Sequence, residues 1–100
     1  MHLTKLRKAA RGMDCMIRLP SCNFNPETTC LAHYRLSGTC GMGQKPHDLL
    51  ASFSCSNCHS VCDGREHLEG WTKDMVRLAH AEGCLRTINE LIKRGLIILT

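Results

Sequence analysis

Cysteine is the residue that most constrains this chain. Eight of its 100 residues are cysteine and only four are aromatic. A core built from large side chains is therefore thin, and chains this short commonly need a staple. Cysteines provide one either as disulfides in an oxidising compartment or as metal thiolates in a reducing one. The opening stretch MHLTKLRKAARGMDCMIRLP contains no apolar run of signal-peptide length, and no later segment is long enough to span a membrane. The expectation is a cytoplasmic protein whose thiols bind metal, with a disulfide scaffold as the alternative.

Two cysteine pairs carry that expectation. Cys55 and Cys58 form a C-x2-C knuckle, and Cys15 and Cys22 flank CMIRLP, which reads as a short strand ended by Pro20. Each pair presents two thiolates, and one tetrahedral Zn2+ held by both would tie distant parts of the chain and supply folding energy. Among the other four cysteines, Cys62 lies one helical turn beyond Cys58 and is the strongest rival ligand. Cys40, in a glycine-rich loop, is next. Cys84 reads as a small buried hydrophobe, and Cys30 has no assigned role.

The remaining segments alternate strand-like and loop-like stretches. SCNFNPETT is a turn-rich loop around Asn25 and Pro26, and TTCLAHYRL is a strand. SGTCGMGQKPHD is a long irregular loop, and DLLASFSC is either a short helix or an extended lead-in. NCHSVCDGREH is helical from Cys58 to Asp63, with Gly64 as a break. The clearest element comes last. Thr72 is a good N-cap, and Trp71 before it can staple onto Val76. Met75, Leu78, Ala81, Leu85, Ile88 and Ile92 then recur at helical spacing, and this stripe is expected to face the core. Gly83 within it costs about 1 kcal/mol relative to alanine. Lys93 and Arg94 suit the helix end and Gly95 the position after it. LIIL then reads as a short buried strand or a packed tail.

Charge is placed unevenly. The first 20 residues hold Lys5, Arg7, Lys8, Arg11 and Arg18 against Asp14, a net of +4, which equals the excess of the whole chain. A basic arm of this kind suits a phosphate backbone, so Lys5, Arg7, Lys8 and Arg11 are the candidate DNA contacts. A solubilising segment is the plainer reading.

A second constellation follows the knuckle directly. His59 and Asp63 are four residues apart, so on a helix they face the same way and can hold one divalent ion with positions left for phosphate and water. His33 is the candidate third group, and Asp48 lies between them in sequence. The order His33, Asp48, Cys55-x2-Cys58-His59 resembles an HNH, or ββα-metal, nuclease. LRKAARGMDC, NPETTCLAH, RLSGTCG, GQKPHDLLA and CSNCH resemble the YbcO-type family of small prophage proteins, described as nucleases, over most of residues 6 to 67.

That resemblance implies a general base at His33, an orienting hydrogen bond from Asp48 where HNH enzymes usually carry asparagine, and ion ligands at His59 and Asp63, the ion being Mg2+, Mn2+ or Zn2+. One departure stands out: many HNH enzymes place a metal-binding residue just before the base, and here it is Ala32. His47 and His67 are possible substitutes, whereas His2 and His80 read as ordinary surface or helix residues.

The expected fold is α+β, a small zinc-stabilised ββα-metal core with a long C-terminal helix. It would be one domain, with a basic arm over 1–14, the core over 15–67 and the helix over 71–95. The expected function is a metal-dependent DNA endonuclease of phage or prophage DNA metabolism. The alternative is a non-catalytic zinc module that binds DNA or a phage or host recombination protein.

Overall fold

The computed structural model describes residues 5–41 and 43–98. His2, with the rest of residues 1–4, lies outside them. The basic arm folds into helix α1, Lys5–Ala10, and turns away at Gly12, whose φ of +81° is one that glycine adopts without strain. Ala10 is fully buried, and Leu6 packs beside it. The Asn25 side chain accepts a hydrogen bond from the Glu27 amide and caps a single 3-10 turn, Pro26–Thr28.

Strands β1, Cys30–His33, and β2, Ala51–Ser54, pair antiparallel, with Leu31 opposite Phe53 and His33 opposite Ala51. DLLASFSC is thus extended where it matters. Helix α2, Ser56–Cys62, follows β2 after one residue, Cys55, whose Sγ caps it by accepting from the Cys58 amide. Gly64 then ends it at φ +79°. The sheet separates two apolar clusters. Leu31, Ala51 and Phe53 pack with Ala10 and Leu91, while Ala32 packs with the buried cysteines, Ile17, Leu19 and Val61.

CMIRLP forms no strand. Its alternation of buried Cys15, Ile17 and Leu19 imitates one, but Arg18 adopts φ +59° and breaks the extended run. The Met16 amide reaches the edge of the sheet, at the Phe53 carbonyl, 2.8 Å away.

Helix α3, Lys73–Lys93, begins and ends where its caps place it. Thr72 Oγ1 accepts from the Met75 amide at 3.1 Å, and Gly95 follows the last turn at φ +71°. Its buried face, however, is not the apolar stripe. Leu78 is 62% exposed and Leu85 67%, and Met75 and Ile92 are also exposed. The buried residues are instead His80, Gly83, Cys84, Thr87 and Leu91.

Hydrogen bonding and close approach explain the choice. Thr87 Oγ1 accepts from the Phe53 amide at 2.9 Å and donates to the Gly83 carbonyl at 2.8 Å. His80 Nε2 donates to the Ala32 carbonyl at 2.8 Å. α3 thereby supplies partners to backbone groups of both strands, which would otherwise be buried at a cost. Gly83 permits this approach, since a Cβ there would stand 2.6 Å from Ser52 Oγ and 2.9 Å from Ile17 Cγ1. Past the helix, Leu96 and Ile97 pack as a tail and form no strand, and Ile98 is exposed. Among the described residues no helix is long and apolar enough to cross a membrane.

Candidate functional site

The four cysteines of the two sequence pairs meet. Cys15, Cys22, Cys55 and Cys58 are all buried, and their Sγ atoms lie within 4.8 Å of one another. The Cys22 and Cys55 sulfurs are 3.7 Å apart, close to the roughly 3.8 Å edge of a tetrahedron with Zn–S bonds of about 2.3 Å. All four thiols are free. A hydrogen bond from Cys58 draws the Cys15 thiol down to about 4, and the same contact pushes Cys58 up, while burial pushes Cys22 up to about 11. Buried sulfurs sharing protons at this spacing fit a tetrahedral metal such as zinc, which would replace those protons.

Neither rival ligand joins this group among the described residues. Burial pushes the Cys62 thiol up to about 12 and Cys84 up to about 11, so both are neutral apolar side chains. Cys40 also lies outside the group.

On the other side of β1, His33 Nε2 stands 2.7 Å from Asp48 Oδ1, and Arg7 Nε stands 3.4 Å from Asp48 Oδ2. Both partners of the first contact are nearly buried, at 8% and 12% side-chain exposure. His33 closes the end of β1, Asp48 lies in the loop before β2, and Arg7 comes from α1. The helical spacing holds as well, with His59 Nε2 3.2 Å from Asp63 Oδ2. Arg65 donates to the same oxygen at 3.1 Å.

Sequence reasoning missed the other neighbour of His59. Cys30 Sγ lies 3.2 Å from His59 Nδ1. With Nε2–H donating to Asp63, Nδ1 accepts the thiol proton, an assignment that follows from the partners. Burial raises the Cys30 thiol and lowers the His59 imidazole below its ordinary 6.5, so both stay neutral. Among the described residues His59 is no part of the cysteine group, and its side chain keeps 27% exposure. Pairing across the sheet, Cys30 opposite Ser54, is what brings the thiol to α2. No local pattern announces it.

His33 lines two open hollows. One, of about 630 Å3, is lined by His33, Asp63, Arg35, Arg65, Arg77 and His80, among others. The other, of about 250 Å3, is lined by Arg7, Arg11, Lys45, Cys30, His33 and His59, among others. His59 lines the smaller hollow and Asp63 the larger, and His33 lines both. Among the described residues they form no group of three ligand atoms with His33. His47 is exposed and lines neither hollow, and His67 lines a groove beside α2 that shares Asp63 and Arg77 with the larger hollow. Of the arm, Arg7 and Arg11 face the smaller hollow, while Lys5 and Lys8 are exposed on α1.

A family model described as "Putative nuclease YbcO" matches residues 4–96. The chain belongs to the YbcO family. It is 47% identical over 98 residues to "Putative nuclease YbcO" of Escherichia coli (strain K12), covering 95% of this chain and 98% of that protein. It shares the same identity and coverage with "Putative nuclease ybcO" of Enterobacteria phage 82. Its fold is similar to a solved structure described as "Structure of a putative bacteriophage protein from Escherichia coli str. K-12 substr. MG1655". The TM-score is 0.75 and the identity 40%, with 91% of this chain and 100% of that one covered. The YbcO relationship spans both cysteine pairs, His33, Asp48, His59 and Asp63 together.

Proposed function

We propose that this YbcO-family protein is a metal-dependent DNA endonuclease of the HNH type, acting in phage or prophage DNA metabolism. The observation that carries the reading is the Arg7–Asp48–His33 chain of contacts set at the junction of two basic hollows. The element order β1, β2, α2 and the nuclease description of the relatives support it.

His33 is the general base. With Nε2–H donated to Asp48, the lone pair resides on Nδ1, which takes the proton from the attacking water. Asp48 holds the ring in that tautomer and stabilises it once protonated, and Arg7 offsets the charge of Asp48. His59 and Asp63 are the chain's candidate ligands for a divalent ion, Mg2+, Mn2+ or Zn2+. Such an ion supplies charge stabilisation at the scissile phosphate. Burial keeps His59 neutral, and ligation beside Asp63 would take Nε2 with its proton moved to Nδ1, where Cys30 Sγ would accept it. The four-cysteine group, closed on itself, is structural, because a metal held by four thiolates has no open position for water. Arg7, Arg11 and the exposed lysines of α1 grip the backbone without reading its sequence.

Ala32 favours a second reading, a non-catalytic zinc module that binds DNA or a recombination protein. The position before His33 offers no ligand, and its carbonyl is taken by His80. Plasmid nicking by highly purified protein with Mg2+, Mn2+, Ni2+ or Zn2+ separates the two. Cutting that disappears in His33→Ala, with zinc content and DNA binding retained, supports the nuclease. DNA binding with no cutting by wild type under any ion supports the module.

A further inference from the structure

The excess charge of the sequence sits at its start, yet the fold gathers a second set of cations from the neutral remainder. Arg35, Arg65 and Arg77 line the larger hollow, and Lys45 joins Arg7 and Arg11 in the smaller one. Six of the chain's 13 lysines and arginines thus surround the two hollows that share His33, of which Arg7 pairs with Asp48 and Arg65 with Asp63. Like charges converging on a concave wall raise its potential and attract a polyanion.

The larger hollow is also built rather than merely charged. The Arg77 guanidinium lies 4.7 Å above the Tyr34 ring centroid. Tyr34 meets His80 edge-on at 5.0 Å, and His80 is fixed to the Ala32 carbonyl. Arg77 is therefore positioned through a stack that ends on the residue next to His33. Arg65 is held in turn by Asp63 at 3.1 Å. The Arg77 guanidinium, seated on Tyr34, loses less freedom on meeting a phosphate, and its planar fork matches two phosphate oxygens. The exposed Arg65–Asp63 pair, by contrast, holds Arg65 only weakly.

We infer that the hollow walled by Arg35, Arg65 and Arg77 is a second phosphate-binding site, which holds the DNA backbone on the side of His33 opposite α1. The polymer then crosses the base with cations on both flanks. The arm is one half of the grip, and the half contributed by β1, α2 and α3 completes it. The inference rests on the nuclease reading for the identity of the polymer.

The test is binding of a fluorescein-labelled DNA duplex across a salt series, on zinc-loaded full-length protein with no other divalent ion, beside cleavage of the same duplex with Mg2+ or Mn2+. The variants are Arg35→Gln/Arg77→Gln, Arg11→Gln/Lys45→Gln and their combination. Arg65 is left intact because it holds Asp63. Each double variant should lower the log–log salt slope by about 1.8, and affinity at ~0.1 M salt by roughly 60-fold. The combination should add the two effects. Arg77→Lys, which keeps the charge, should retain most of the slope.

Zinc content and melting temperature serve as folding controls. Should Arg35→Gln/Arg77→Gln disturb them, Arg35→Gln alone, at an exposed residue, must still lower the slope by about 0.9. A slope unchanged in folded Arg35 and Arg77 variants, while wild type cuts and the Arg11 and Lys45 pair matters, overturns the second site and leaves the nuclease reading standing. Two-sided binding without cutting supports the second site and overturns the nuclease reading. Wild type that neither binds nor cuts overturns both.

Discussion

His33 Nε2 and Asp48 Oδ1 lie 2.7 Å apart, although 15 residues separate them in the chain. A two-stranded pairing alone would not hold this contact in place. β1 delivers the histidine, the loop before β2 delivers the carboxylate, and Arg7 of α1 closes on the far oxygen at 3.4 Å. Three segments are thus tied at one point, and each can be loosened separately.

That arrangement gives the first prediction. Asp48→Asn keeps an acceptor facing His33 and should hold single-turnover cleavage within about tenfold of wild type. Asp48→Ala should lose roughly 10²-fold, and His33→Ala about 10²–10⁴-fold, the range of a lost general base. Equal rates for Asp48→Asn and Asp48→Ala would show that the carboxylate does not orient the base.

Cys55→Ser should remove the structural metal. One zinc per chain by elemental analysis should fall to none, with a large drop in melting temperature, because structural zinc contributes on the order of 10 kcal/mol of apparent binding energy to small domains. A variant with full metal content and an unchanged melting temperature would mean that the cluster is not the zinc site.

Gly83→Ala sets two effects of opposite sign against each other. Helix propensity favours alanine by about 1 kcal/mol. The new methyl would meet Ser52 Oγ at 2.6 Å, Ile17 Cγ1 at 2.9 Å and the Met16 backbone carbonyl at 3.2 Å. Overpacking of this kind costs about 1–3 kcal/mol, and the carbonyl cannot turn aside as a side chain can. The clash should win, and chemical denaturation should show a net loss. A stabilised variant would mean that α3 docks less closely than described.

Stability should also fall in mild acid. Burial holds His80 below its ordinary 6.5, with Arg77 and His59 adding to that effect and the Ala32 carbonyl and Asp63 opposing it. The unfolded chain therefore takes up the proton first. The stabilising contribution is fully present above about 6.5 and is lost as pH falls through the folded-state value. His59 is shifted the same way and adds to the trend. Thermal melts between pH 7.5 and 5.5, with zinc retention checked at each pH, should show this decline. It should be shallower in His80→Gln, whose amide N–H can still reach Ala32. An identical pH dependence in His80→Gln would remove His80 from the account.

Sequence alone determined the features that rest on short-range chemistry. The two cysteine pairs identify a four-thiolate group because chelation needs only the right atoms at close spacing. Thr72 and Gly95 bound α3 because capping is settled within one turn. His59 and Asp63 meet because they are four apart on a helix. Even the strand-like alternation of CMIRLP reported its burial correctly and misled only on its backbone.

Tertiary structure decided the rest. It buried His80, Gly83 and Thr87 and left Leu78 and Leu85 in solvent. Hydropathy weighs apolar area, whereas this docking turned on close approach and on partners for strand backbone. Strand pairing placed Cys30 against His59. The packing of β1, α2 and α3 drew Arg35, Arg65 and Arg77 from a stretch of chain with no net charge into one wall, because charges far apart in sequence acquire a common field only once the chain is folded.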